Sequence, residues 1–264
     1  MIPNIHAVDR LNDGPQAWND WRKSRKRSHP HHGNHPPDLS QAALAGLDLR
    51  SYNLKGVNFR GANLSHANLS NTQLRDANLS QANLYRANLR GADLHEAQLD
   101  SAYLVAANLC EANLQRATLT LANLQRAQME QVDLSWANLN RADLRHSHLR
   151  WSDLNHAQAS DTDWSGASLI QASLNYATLS RATLCQTALE GAYLYRCNLY
   201  CANLEQAYLT KAYLAEAILV KANLSHALLC WANLVKANLT QANLTQANLD
   251  YAQLRSANLS DVIR

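Results

Sequence analysis

The sequence predicts an all-β solenoid, a quadrilateral β-helix of about 11 coils behind a short N-terminal helical cap. Three observations predict it. From Leu44 to Leu259 every fifth position falls in one unbroken register, and 40 of these 44 positions are Leu. Two residues before each, 34 of 44 positions are Ala, and mostly Asn or Asp lies between. A period of five also fits neither standard element. On an α-helix five residues advance ~500°, so successive Leu drift ~140° and make no stripe. On a continuous strand an odd period sends alternate Leu to opposite faces. A corner every five residues resolves both conflicts. Ala and Leu then point inward, and the residue between them and the two that follow point outward. Four corners close a coil of 20 residues. Coils stacked at the ~4.8 Å spacing of paired strands make a rod of roughly 50 Å.

Composition agrees. The 264 residues are 47% hydrophobic, yet include one Phe, two Met and eight Gly. Lys and Arg number 24 against 21 Asp and Glu, for a net charge of +3. That balance excludes a uniformly acidic or basic surface. The apolar runs are too short to span a bilayer, and no signal peptide is evident at the N-terminus. The chain divides into residues 1–39, a helical cap with a basic, His-rich linker, and residues 40–264, the β-helix.

In chain order, Pro15 begins a helix that sets Ala17, Trp18 and Trp21 on one side. Trp18 and Trp21 are the candidate capping residues, covering the open edge of the first coil. The segment 22–36 carries the run Arg22–Arg27, then His29, His31, His32 and His35. It reads as a solvated flexible linker. Within the repeat, Phe59, Met129, Ala159 and Trp164 replace Leu. Ala159 and Trp164 form the one core defect, in which the indole fills space that Ala159 leaves, with or without a local bulge; a functional bend is the alternative. The chain ends at Asp261-Val262-Ile263-Arg264 without an evident cap, and a bare apolar edge invites self-association.

The tandem units, such as Ala82-Asn83-Leu84-Tyr85-Arg86, resemble the pentapeptide-repeat family over residues ~40–261. The resemblance implies a right-handed coil. The leader Trp18-Asn19-Asp20-Trp21-Arg22, with Pro37-Asp38-Leu39-Ser40, is similar to a lead-in of that family, and Lys23–Pro36 looks like an insertion. Members of the quinolone-resistance type dimerise through C-terminal ends, which implies a homodimer through the C-terminal coil here. The same members are proposed to imitate DNA and engage gyrase.

Residues 20 apart share a column, so function is sought in columns. Asp133 over Asp153 with His156, and Asp143 over Asp163 with His146, are paired carboxylates beside an imidazole. They read as solvated turn ladders, so no metal, cofactor or catalytic residue is expected and the chain is not expected to be an enzyme. DNA mimicry needs a dense negative field. The columns here are mostly Asn, so nucleic acid is not an expected partner, and gyrase modulation is the alternative function. From 188 to 235 the outward residues turn aromatic and apolar. Tyr193, Tyr195, Tyr200, Tyr208, Tyr213, Leu228 and Trp231, with Trp136 and Tyr176 upstream, are the candidate interaction residues. The five cysteines have no partner one coil away, and an odd number of thiols fits a reducing, cytoplasmic location. The expected role is a rigid scaffold for an unidentified protein partner.

Overall fold

The chain winds at the interval its repeat dictates. The computed structural model describes residues 5–28 and 36–264. Every bridge joins a residue to the one 20 places on, in parallel, from Asp38↔Asn58 to Asn243↔Ile263. Each side of a coil contributes one bridged residue, so the ladder is regular although no side holds a long strand. Hydrogen bonds run both ways along the rod. Leu84 N–H donates to Tyr103 O at 2.8 Å, and Asn83 N–H donates back to Ala62 O at 2.9 Å. The turn adds a third rung, with Arg86 N–H on Val105 O at 3.1 Å.

Corners are two-residue turns closed by a bond such as Ala87 N–H to Leu84 O, 2.9 Å. The second turn residue has positive φ at every corner, from Gln41 (60°) to Asp261 (55°). Positive φ at that residue alone is the type II signature. All six glycines of the coils sit there: Gly46, Gly56, Gly61, Gly91, Gly166 and Gly191. No Val, Ile or Thr does. The preceding turn position, with ordinary φ, accepts them readily, as at Val105, Ile170, Val220, Val235 and Thr240. A β-branched side chain at φ near 60° crowds its own backbone.

The outward Asn and Asp have a local task. The N–H of the first turn residue has no place in the inter-coil ladder, and the side chain two residues earlier takes it. Asn83 Oδ1 accepts from Tyr85 N–H at 3.1 Å and Asn223 Oδ1 from Ser225 N–H at 3.1 Å. Some also bond along their column, as Asn243 Nδ2 to Asn223 Oδ1 at 3.1 Å. Inside, the Ala and Leu columns are buried from Leu39 to Leu244. Hydroxyls that replace Ala are buried without loss because each reaches a backbone carbonyl. Ser147 Oγ donates to Leu144 O at 2.6 Å and Thr187 Oγ1 to Trp164 O at 2.9 Å.

The Ala159–Trp164 defect leaves the register intact. Ala159 N–H bonds Thr178 O and Trp164 N–H bonds Thr183 O, both at 2.7 Å, so the ladder runs through without a bulge. Trp164 is fully buried, and its indole N–H donates to Thr162 Oγ1 at 2.6 Å. Thr162 donates in turn to Ala159 O at 2.7 Å. Small Ala159 makes room for the ring, and Thr162 satisfies its one polar atom.

The N-terminal residues form two helices, α1 (Ile5–Asn12) and α2 (Pro15–Ser28). Trp18 is fully buried, with Trp21 5.1 Å away, ring centre to ring centre. Side chains of α2 stand where a preceding coil would. Trp18 Nε1 donates to Asn53 O at 2.9 Å, Asn19 Oδ1 accepts from Asn53 N–H at 2.8 Å, and Arg22 donates to Lys55 O at 2.6 Å. Tyr52 hydroxyl donates to Leu11 O at 2.9 Å and ties down α1. Two readings from the sequence need correction. The segment from 22 is no linker at its start, because α2 continues to Ser28 and Arg22 bonds Lys55 O. The first coil begins before residue 40, because Leu39 N–H already bonds Asn58 O at 2.7 Å. His29, His31, His32 and His35 lie outside the described residues. At the other end Leu249, Leu254, Leu259 and Val262 are only partly buried.

Candidate interaction surfaces

The rod has four sides, each named by its bridged column. The first carries Asn63 to Asn243, the second Asn68 to Asn248, the third Asn53 to Gln253 and the fourth Asn58 to Asn258. The aromatic residues of 188–235 wrap the second, third and fourth sides. On the third, Tyr193 and Tyr213 stack at 4.9 Å with an interplanar angle of 8°. On the second, Tyr208 lies under Leu228, and on the fourth Ile218 is exposed beside Tyr200. The first side is polar at this level, an Asn203–Asn223–Asn243 ladder with amide bonds of 2.9 and 3.1 Å.

The corner between the third and fourth sides carries a second stack. Trp136 lies on His156 at 4.0 Å, and His156 on Tyr176 at 4.9 Å. Tyr176 meets the edge of Tyr195, which lies under the Arg196 guanidinium. Tyr195 is therefore half-buried. Arg196 donates to Glu216 at 2.7 Å and holds that carboxyl below its usual range. The structure thus brings Trp136, Tyr176, Tyr193, Tyr195 and Tyr213 to one side and its corner. Trp231 stands at the other corner of that side and stacks on Tyr251 at 4.4 Å. Tyr251 escaped the sequence reading although it lies 20 residues from Trp231, and it is the most exposed of the aromatic residues at 71%. Also unanticipated were Trp151, which donates to Gln171 at 2.6 Å, and the His66–Tyr85–Tyr103 group.

These apolar residues displace the local turn cap. At Tyr208, Tyr213, Ile218 and Leu228 the side chain offers no acceptor for the N–H of Thr210, Ala215, Val220 or Cys230, and these N–H groups have no partner among the described residues. Each lost bond forgoes about 0.5–1.5 kcal/mol.

The carboxylate columns are engaged otherwise. Arg145 makes paired bonds of 2.9 and 2.7 Å to Asp143 and lies 3.7 Å from Asp163. Asp133 accepts from Ser135 at 2.6 Å, while His156 is held in the aromatic stack. Among the described residues no three His, Cys, Asp or Glu come together as metal ligands. The five cysteines are unpaired. Burial, with the neighbouring Glu130, pushes the Cys110 thiol up to about 11, and full burial raises that of Cys197 further. No helix among the described residues is long and apolar enough to cross a membrane.

The winding, the corner chemistry and the convex surface define a β-solenoid repeat protein. The sequence profile of the pentapeptide repeats matches successive overlapping segments from 38 to 261. The chain belongs to the pentapeptide repeat family. HetL, a pentapeptide repeat protein involved in heterocyst differentiation regulation in the cyanobacterium Nostoc sp. strain PCC 7120, is 33% identical. The match covers 88% of this chain and 94% of HetL, with a TM-score of 0.46. Rfr23 from the cyanobacterium Cyanothece 51142 is 31% identical over 42% of this chain and 63% of its own, with a TM-score of 0.29. QnrB1, a plasmid-mediated fluoroquinolone resistance protein, is 19% identical over 83% of this chain and 90% of its own, TM-score 0.29. No curated protein sequence is similar enough to count as a relative. HetL and QnrB1 are right-handed quadrilateral β-helices.

Proposed function

We propose that this chain is a rigid, non-enzymatic scaffold of the cytoplasm that presents the 188–235 belt to a protein partner. The observation that carries this reading is the belt's position against local stability. Exposed Tyr208 and Tyr213 replace Asn or Asp at positions where those residues cap turns. Folding gains little from exposed rings, whereas Tyr and Trp anchor protein interfaces. The interior supports the non-enzymatic role, since Leu and Ala fill it and the outer surface is convex. HetL is a regulatory protein by description, in keeping with a role through contact.

Changing Tyr193, Tyr213 and Trp231 together to Ser tests this reading. Affinity capture from the native cell should lose a partner with the variant, while thermal melting stays near that of wild type. Identical captured proteins would remove the belt from consideration. Gyrase modulation, the alternative function, needs a negative face, and the Asn203–Asn223–Asn243 ladder is uncharged; a supercoiling assay with purified gyrase separates the two. Self-association through the C-terminal coil draws support from the partly exposed Leu249, Leu254 and Leu259. Sedimentation of wild type against Leu254→Lys reads it directly.

A further inference from the structure

The corner between the first and second sides carries charge of one sign in a molecule that is otherwise balanced. Between Ser65 and His148 its turn positions and the bridged column beside it on the second side contain no Asp or Glu, and on the first side the one carboxylate, Asp143, is paired with Arg145. The second turn residues run His66, Arg86, Ala106, Arg126, His146. Arg86 and Arg126 are both exposed, and among the described residues neither has a carboxylate within salt-bridge distance. Neighbouring arginines are neutralised, Arg145 by Asp143 at 2.7 Å and Arg90 by Glu111 at 2.5 Å. Two positive side chains therefore stand without a carboxylate, two coils apart, with the short Ala106 between them. Two coils span ~9.6 Å. On the adjoining first side Tyr103 is 44% exposed.

We propose that this corner binds an extended acidic peptide running along the solenoid axis. In a polyproline-II segment, residues three apart face the same way at ~9.3 Å. Carboxylates at every third residue thus meet Arg86 and Arg126 in turn, and the residues between them lie over Val105 and Tyr103. The rings do not form a base-stacking platform, which favours peptide over single-stranded nucleic acid. Tyr85 is covered by Tyr103 at 6.1 Å, by the edge of His66 at 5.5 Å and by the Arg86 guanidinium at 5.2 Å. This corner lies diagonally across the rod from the Trp136–His156–Tyr176 stack. The proposal is independent of the aromatic belt.

The test is fluorescence anisotropy of the full chain with a labelled peptide of four Glu-Pro-Pro repeats. Its comparison probes are the Lys-Pro-Pro counterpart and a short single-stranded oligothymidylate. Wild type should bind the acidic peptide, with affinity falling as salt rises. The double change Arg86→Glu and Arg126→Glu should weaken that binding at least about tenfold. Arg86→Gln with Arg126→Gln should weaken it less, and unchanged melting of either variant shows that the fold persists. The Tyr193/Tyr213/Trp231 triple change should leave the affinity as in wild type. The proposal is overturned by no binding to the acidic peptide, by equal binding of the Lys-Pro-Pro peptide, by affinity indifferent to charge reversal, or by tighter binding of the oligonucleotide.

Discussion

Lys221 offers a sharp test of the corner geometry. It is the second residue of its turn, with φ 58° and its backbone N–H on Thr240 O at 2.9 Å. Its side chain is exposed and has no salt-bridge partner, so replacing it removes nothing but its own conformational preference. An unbranched L-residue in this region already costs about 1–2 kcal/mol. Valine adds a second branch at Cβ, and strain of this kind costs a further 1–2 kcal/mol or so. For a chain of this size that lowers the melting temperature by roughly 2–8 °C. Lys221→Gly relieves the strain but loosens the unfolded chain by about 0.5–1 kcal/mol, leaving it near wild type. Thr210→Val changes the first turn position of a nearby corner, where ordinary φ accepts branching, and should melt within about 0.5 kcal/mol of wild type. The measurement is thermal melting followed by circular dichroism on the three variants. Equal effects of Lys221→Val and Thr210→Val would refute the explanation offered for the missing β-branched residues.

Other outcomes follow from single contacts. Thr162→Val strands the buried indole N–H of Trp164 and frees Ala159 O, and should cost about 1–3 kcal/mol in urea unfolding; no change would mean the indole finds another partner. Asn19→Ala deprives Asn53 N–H of its acceptor, so hydrogen exchange at the Asn53 amide should accelerate, while Asn19→Asp, which keeps the acceptor, should restore most protection. The Arg50 side chain and backbone, bonded to Asp48, hold its carboxyl down at about 2 against an ordinary 3.8. The folded pKa is depressed, so this contribution is complete above pH ~3.8 and is lost as pH falls through about 2. Carboxyl NMR titration of Asp48 checks it, and an ordinary midpoint near 3.8 would show the pair does not persist in solution.

The repeat made the architecture legible because one inward residue in five is a purely local signal. The spacing of Leu64 and Leu84 already gives the column, and with it the pairing of Tyr193 and Tyr213. The rule against branching at Lys221 and its equivalents was also written in the sequence, in a blank column of Val, Ile and Thr. It was overlooked because an absence makes no motif. The continuation of α2 through Arg22 was harder to see. A run of like charges reads as solvent-loving, and only the unpaired edge of the first coil gives Arg22 a backbone carbonyl to hold.

What the sequence determined by itself was the winding, the inward and outward sets, and the columns. All follow from a period that only a four-cornered coil can satisfy. The tertiary structure decided which neighbours across a corner meet. Tyr176 meets the edge of Tyr195, Arg90 reaches Glu111, and Arg86 and Arg126 stand without a carboxylate among the described residues while Arg145 holds Asp143. These outcomes depend on side-chain reach around a bend of the backbone, over distances of a few ångströms that no linear spacing encodes.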